Sequence, residues 1–119
     1  MGDVGPALGE IVDQLRAAGL HASVDPRDVE TPGVIVRGEA LEPGRGKLCG
    51  LDVLRYSLVL VMPDIADQGV YAGLDKLRAT VLDTITLNAS EDQPFERVIL
   101  PSAPTALPCQ RLTGRTILT

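Results

Sequence analysis

The segment from Leu51 to Met62 constrains the fold most. In it Leu54, Tyr56, Leu58, Leu60 and Met62 alternate with Val53, Arg55, Ser57, Val59 and Val61. A period of two puts the first set on one side of a β-strand and the second set on the other. At roughly 3.3 Å per residue the segment spans about 40 Å, more than the common strand, so it is expected to run beyond its own core. Its leucine-rich side needs a cover.

Two helical patterns can supply that cover. Between Pro6 and Ala18, Leu8, Ile11, Val12, Leu15 and Ala18 recur at spacings of three and four, which gathers them on one helical face. Gly5-Pro6 suits the first turn, and Gly19 suits the left-handed position just past the end. A second helix is expected from about Val70 to Leu87, on Val70, Leu74, Leu77, Val81 and Ile85.

Shorter strands fill the intervals. Leu20 to Val24 is expected to be one, stopped by the turn Asp25-Pro26-Arg27-Asp28, and Gly33 to Arg37 a second, introduced by Pro32. Gly38 to Gly50 holds four glycines and Pro43, which predicts a flexible loop or an extended hairpin arm. Phe95 to Leu100 is expected as a fourth strand, and Pro101, Pro104 and Pro108 mark a loop that no helix could contain. Cys109 to Leu118 closes the chain as a strand with Arg111, Thr113 and Arg115 on one side and Leu112, Gly114 and Thr116 on the other. The fold predicted is α+β in the order α-β-β-β-α-β-β, one domain over residues 1–119, with both helices on the same face of a mostly antiparallel sheet. The opposite face is then expected to lack cover. It would present Val59, Val61 and Ile117 beside Arg55, Arg111 and Arg115, a mixture that suits a subunit interface.

Composition narrows the partners. At 119 residues the chain is long enough for one shared core. Apolar residues make up 45% and charged ones 23%, the balance of a globular chain. Tyr56, Tyr71 and Phe95 are the only aromatics, so few surfaces exist on which bases could stack. The net charge of −5 also argues against a dedicated nucleic-acid binder. The longest apolar run, Leu58 to Met62, is far short of the roughly 20 residues that cross a bilayer. With no signal-peptide pattern at the N-terminus, the expectation is a cytoplasmic protein without a membrane partner. Cys49 and Cys109 are then expected as reduced thiols, and the Asn88-Ala89-Ser90 sequon as a helix end and turn.

No catalytic or metal-binding constellation emerges. His21 is the only histidine and has no cysteine near it in sequence, so an ordinary half-exposed role is expected. Cys49 with His21 lacks any local nucleophile signature. Gly44-Arg45-Gly46-Lys47 falls short of a phosphate loop, because the glycines are too close together and Leu48 replaces the Ser or Thr after the lysine. The carboxylate pairs Asp25/Asp28 and Asp64/Asp67 sit where aspartate serves as turn or cap residue. These features predict an assembly role, with no enzyme activity and no cofactor.

The chain resembles the tail terminator proteins of long-tailed bacteriophages, particularly those infecting actinobacteria. The likeness runs through Leu15-Arg16-Ala17-Ala18-Gly19-Leu20, Val24-Asp25-Pro26-Arg27-Asp28 and Pro32-Gly33-Val34-Ile35-Val36-Arg37. It continues through Leu60-Val61-Met62-Pro63-Asp64, the second helix, and Pro104-Thr105-Ala106-Leu107-Pro108 before the arginine-bearing last strand. The resemblance implies a virion protein assembled in the host cytoplasm. Such a protein forms a ring, usually of six subunits, on the head-proximal end of the tail tube, where it stops tube growth and provides a head-joining surface. Its partners would be sister copies, the tube protein and a neck protein, with DNA only as passing cargo. On that reading Arg55, Arg111, Arg115, Val59 and Val61 form subunit contacts or the ring lumen, and Arg45 and Lys47 reach the tube or neck. A head-closure or neck adaptor is the nearest alternative, and a small cytoplasmic ligand-binding domain the more distant one.

Overall fold

The computed structural model describes residues 4–43, 52–63, 67–87, 92–101 and 105–118, with the side chains of residues 67 and 68 left out. Helix α1 (Val4–Ala17) is followed by β1 (His21–Ser23), a 3-10 turn (Pro26–Asp28), β2 (Gly33–Glu42), β3 (Val53–Val61), α2 (Asp67–Thr84), β4 (Phe95–Val98) and β5 (Leu107–Ile117). This is the α+β order predicted. The five strands form one sheet in the order β1-β2-β3-β5-β4. Only the β1–β2 pair is parallel.

Local chemistry explains the element ends. Gly19, at φ 89°, takes the left-handed position after α1. Its N–H donates to the carbonyl of Arg16 at 3.0 Å and that of Leu20 to Leu15 at 3.1 Å, which satisfies carbonyls the helix leaves over. The Arg16 guanidinium then ties the helix to β1 through the Ala22 carbonyl at 2.9 Å. Asp25 caps the 3-10 turn by accepting from the Arg27 N–H.

Both helices cover one face of the sheet. Ile11, Val12 and Leu15 of α1 and Val70, Leu74, Leu77 and Val81 of α2 pack with Val34, Val36, Tyr56, Leu58, Leu60, Met62 and Leu112. The alternation seen in sequence therefore supplies the main core. Leu15, Leu58, Leu60, Val81 and Leu112 are fully buried there.

Three strands depart from expectation. β2 does not stop at Arg37 but continues to Glu42, with a register shift between Gly38 and Ala40. The hairpin-arm alternative thus holds as far as Glu42, and residues 44–51 lie outside the described part. β4 ends at Val98, which frees Leu100 for another use. β5 begins at Leu107, before Pro108; the Pro108 carbonyl accepts from the Met62 N–H at 3.0 Å and so prolongs the β3–β5 pairing.

β1 pairs only with residues 33–35 of β2, and β4 only with residues 107–110 of β5. The later part of β2, the first part of β3 and the later part of β5 therefore run on together as a three-stranded tongue. Among the described residues the tongue has no strand outside residues 36–42 on one side or 112–117 on the other.

Candidate functional site

The face of the sheet away from the helices divides in two. Register puts Ile35, Val59, Arg111, Val61 and Cys109 on this face at one end, and Arg37, Ser57, Thr113, Arg55 and Arg115 along the tongue. The expectation that the whole face is bare requires correction. Val59 and Val61 are only 4% and 0% exposed, because Val29 and Leu100 pack over them, with Ile35, Leu107 and Cys109 of the sheet completing a second apolar cluster. The cover comes from irregular chain: Val29 follows the 3-10 turn, and Leu100 follows β4. Val59 and Val61 are core residues of the chain and have almost no surface to offer a partner.

The tongue half stays open, and the predicted arginines sit there. Arg55 and Arg115 are directly opposite each other on neighbouring strands, with Arg111 further along β5 opposite Val59. Like charges placed opposite repel, and carboxylates from flanking strands moderate the repulsion. The Arg115 Nε lies 3.3 Å from Glu42 Oε1, and Arg111 lies 3.3 Å from Glu96. Among the described residues neither Arg37 nor Arg55 forms an ion pair with a carboxylate. Ile117 also lies here, 53% exposed as predicted.

A concavity of about 190 Å³ occupies the middle of this half, lined by Glu39, Arg55, Ser57, Arg111 and Thr113. Ser57 has no exposed surface, and its hydroxyl donates to Glu39 Oε1 at 2.5 Å. Sequence reasoning brought Arg55 and Arg111 together but missed Glu39, because the bulge that turns it toward Ser57 leaves no mark in the pattern. Ser57 and Thr113 carried a usable signal: both fall on the arginine side by simple alternation.

The other singled-out residues do not join this site. His21 is an edge residue, 63% exposed at its side chain and 3.9 Å from Glu30. Asp25 pairs with Arg27 at 2.9 Å, and hydrogen bonds from that side chain and its backbone hold the carboxyl below its ordinary value. Cys109 is a free thiol in the second apolar cluster, its pKa pushed up by burial first and by Glu96 next. Arg45, Lys47, Cys49, Asp64 and the Asn88 sequon lie outside the described residues, as does the side chain of Asp67.

A larger groove of about 500 Å³ lies on the helix side, between the start of α1, the end of α2 and the end of β5, with Glu10, Gln14, Tyr56, Ile85 and Leu118 in its walls. His21 lines neither concavity. Among the described residues no group of three His, Cys, Asp or Glu side chains is placed to hold a metal ion, and no helix is long and apolar enough to cross a membrane. No protein-family model matches the sequence, and no curated protein does.

Proposed function

We propose that the protein is an assembly subunit that caps the head-proximal end of a phage tail tube as a ring, stops tube growth and presents a surface for head joining. The observation that carries this reading is the tongue with two open edges. β2 and β5 both run antiparallel to β3, so they run parallel to each other on opposite sides of it. The outer edge of β2 in one copy can therefore meet the outer edge of β5 in the next through a rotation alone. A contact between two different patches is heterologous, and repeated by rotation it closes into a ring. The bulge at Gly38/Ala40 and the charges of Arg37, Glu39 and Glu42 guard the β2 edge against indiscriminate pairing.

In such a ring the arginine-bearing face of the tongue points to a neighbour or to the lumen, with Arg55, Arg111 and Arg115 as the contact residues. Val59 and Val61 take no part. Arg45 and Lys47 belong to the connection that follows β2, and on this reading they face the tube or the neck. The likeness to tail terminators supports the end-capping role. The test is negative-stain electron microscopy of the purified chain mixed with its tube protein. Caps at one end of tubes of uniform length support the proposal. Attachment to the portal side without any effect on tube length would favour the neck adaptor instead. Unchanged ring formation and tail length after alanine replacement of Arg45, Lys47, Arg55, Arg111 and Arg115 would rule out their assigned contacts.

A further inference from the structure

The small concavity on the open half has a composition that pairing between subunits does not require. Its walls include two arginines, Arg55 and Arg111, and two hydroxyl residues, Ser57 and Thr113, drawn from two adjacent strands, with Arg111 shared at 3.3 Å with Glu96 outside the lining. Arg55 is half-buried on the central strand of the sheet and faces Arg115 across the ladder. A cation in that setting, with a like charge opposite, is stabilised by an anion close by. Glu39 partly fills that need from the bulge of β2. Its carboxylate lies against the Ser57 hydroxyl at 2.5 Å, so the pocket already holds negative charge at this point.

We propose that this concavity is an oxyanion site for a phosphate group, with the Glu39 carboxylate as its competing internal ligand. A planar carboxylate is satisfied along one edge of a single guanidinium. Here the donors come from β3 and β5 together and outnumber the oxygens of a single carboxylate, so an anion with more oxygens can accept from more of them. Glu39 is exposed and belongs to an irregular stretch of β2, so it can yield its place to phosphate, whose oxygens then accept from Ser57, Thr113, Arg55 and Arg111. The proposal rests on the pocket of a single subunit and does not depend on ring formation.

The test is a titration of the isotopically labelled full chain with inorganic phosphate, read by amide NMR at constant ionic strength with chloride as control. The expected result is a saturable shift at Glu39, Ser57 and Thr113. Arg55→Gln should weaken binding about tenfold. Glu39→Gln should strengthen it, because a competing charge is removed, and an unchanged spectrum away from the pocket shows that both variants fold. A short DNA duplex at the same ionic strength separates the sources of phosphate. Competition between duplex and free phosphate, lost in Arg55→Gln, identifies a backbone phosphate as ligand; phosphate binding without duplex binding identifies a free ion. Absence of saturation, or an affinity that Arg55→Gln and Glu39→Gln leave unchanged, overturns the proposal.

Discussion

The two halves of the sheet's outer face come from the same strands and the same alternation, yet one is core and the other surface. At the Val61 end, Val29 and Leu100 close over the valines. At the Arg55 end, polar and charged side chains stay open around a small concavity. What separates them is the reach of the irregular segments. The chain after the 3-10 turn and after β4 lies over the five-stranded part of the sheet, whereas the tongue extends beyond both edge strands. A period of two reports that a strand has two sides. It says nothing about which stretch of loop will lie across one of them.

The sharpest way to break this comparison is to remove the cover. Leu100 is 1% exposed and belongs to no strand. Leu100→Ala should cost about 3 kcal/mol, since it leaves a cavity over Val59 and Val61. Arg55→Ala in the open half should stay within about 0.5 kcal/mol of the parent. Urea unfolding of the two variants side by side measures the contrast. Equal, small effects would mean that Leu100 does not seal the second cluster.

A smaller effect is expected on the helix side of the tongue, where neighbouring positions on β5 face opposite environments. A Cβ added to Gly114 would lie 2.6 Å from the Tyr56 ring carbon Cζ and 2.6 Å from its hydroxyl oxygen, with Leu87 at 2.8 Å. Tyr56 is buried, and its rigid ring can give way only by moving as a whole toward the groove that it lines. Gly114→Ala should therefore cost about 1–3 kcal/mol by overpacking. Thr113→Ala, one residue away on the open half, should cost less than about 0.5 kcal/mol. Thermal unfolding of the two variants gives the comparison, and a harmless Gly114→Ala would show that the tyrosine can shift freely.

Much of this organisation was legible in the sequence, in proportion to its periodicity. The Leu54–Met62 alternation, the spacing of Ile11, Val12 and Leu15, and Gly19 as helix terminator all report local geometry, and each matches the fold. Arg55, Arg111 and Arg115 were placed together on one side of β3 and β5 by alternation alone. The burial of Val59 and Val61 was not legible, because it depends on Val29 and Leu100, whose approach to the sheet is set by turns without a repeating pattern. The extension of β2 past Gly38 was obscured for a related reason. Gly38 lowers strand propensity, yet it pairs with Tyr56 in the ladder just before the bulge, so long-range pairing with β3 overrides the local signal.

The two covered faces each hold one titrating group that burial perturbs in the same direction. Tyr56 on the helix side and Cys109 on the covered half are both raised, in each case chiefly because burial disfavours the charged form. A raised acid favours folding fully below its unfolded value and loses that contribution as pH climbs through the folded one. With ordinary values of 9.0 for the thiol and 10.0 for the phenol, stability should be flat near neutrality and fall in the alkaline range. Denaturant midpoints measured from neutral to alkaline pH test this, and Cys109→Ala should remove the earlier part of the decline. A decline that begins below neutrality would assign the effect to other groups.

The smallest effect separates an ion pair on the tongue from the packing beneath it. Arg115 and Glu42 approach to 3.3 Å across β3, with side chains 35% and 22% exposed. Solvent screens such a pair, so Glu42→Gln should cost less than about 1 kcal/mol. Its removal also leaves Arg115 directly opposite Arg55 with less counter-charge. The cost should therefore shrink in an Arg55→Gln background, and a double-mutant cycle in low salt measures that difference. A coupling near zero would mean that Arg55 and Arg115 hold their guanidinium groups apart despite their register. The open half would then be a set of independent surface charges, and its contrast with the sealed half would lie in cover alone.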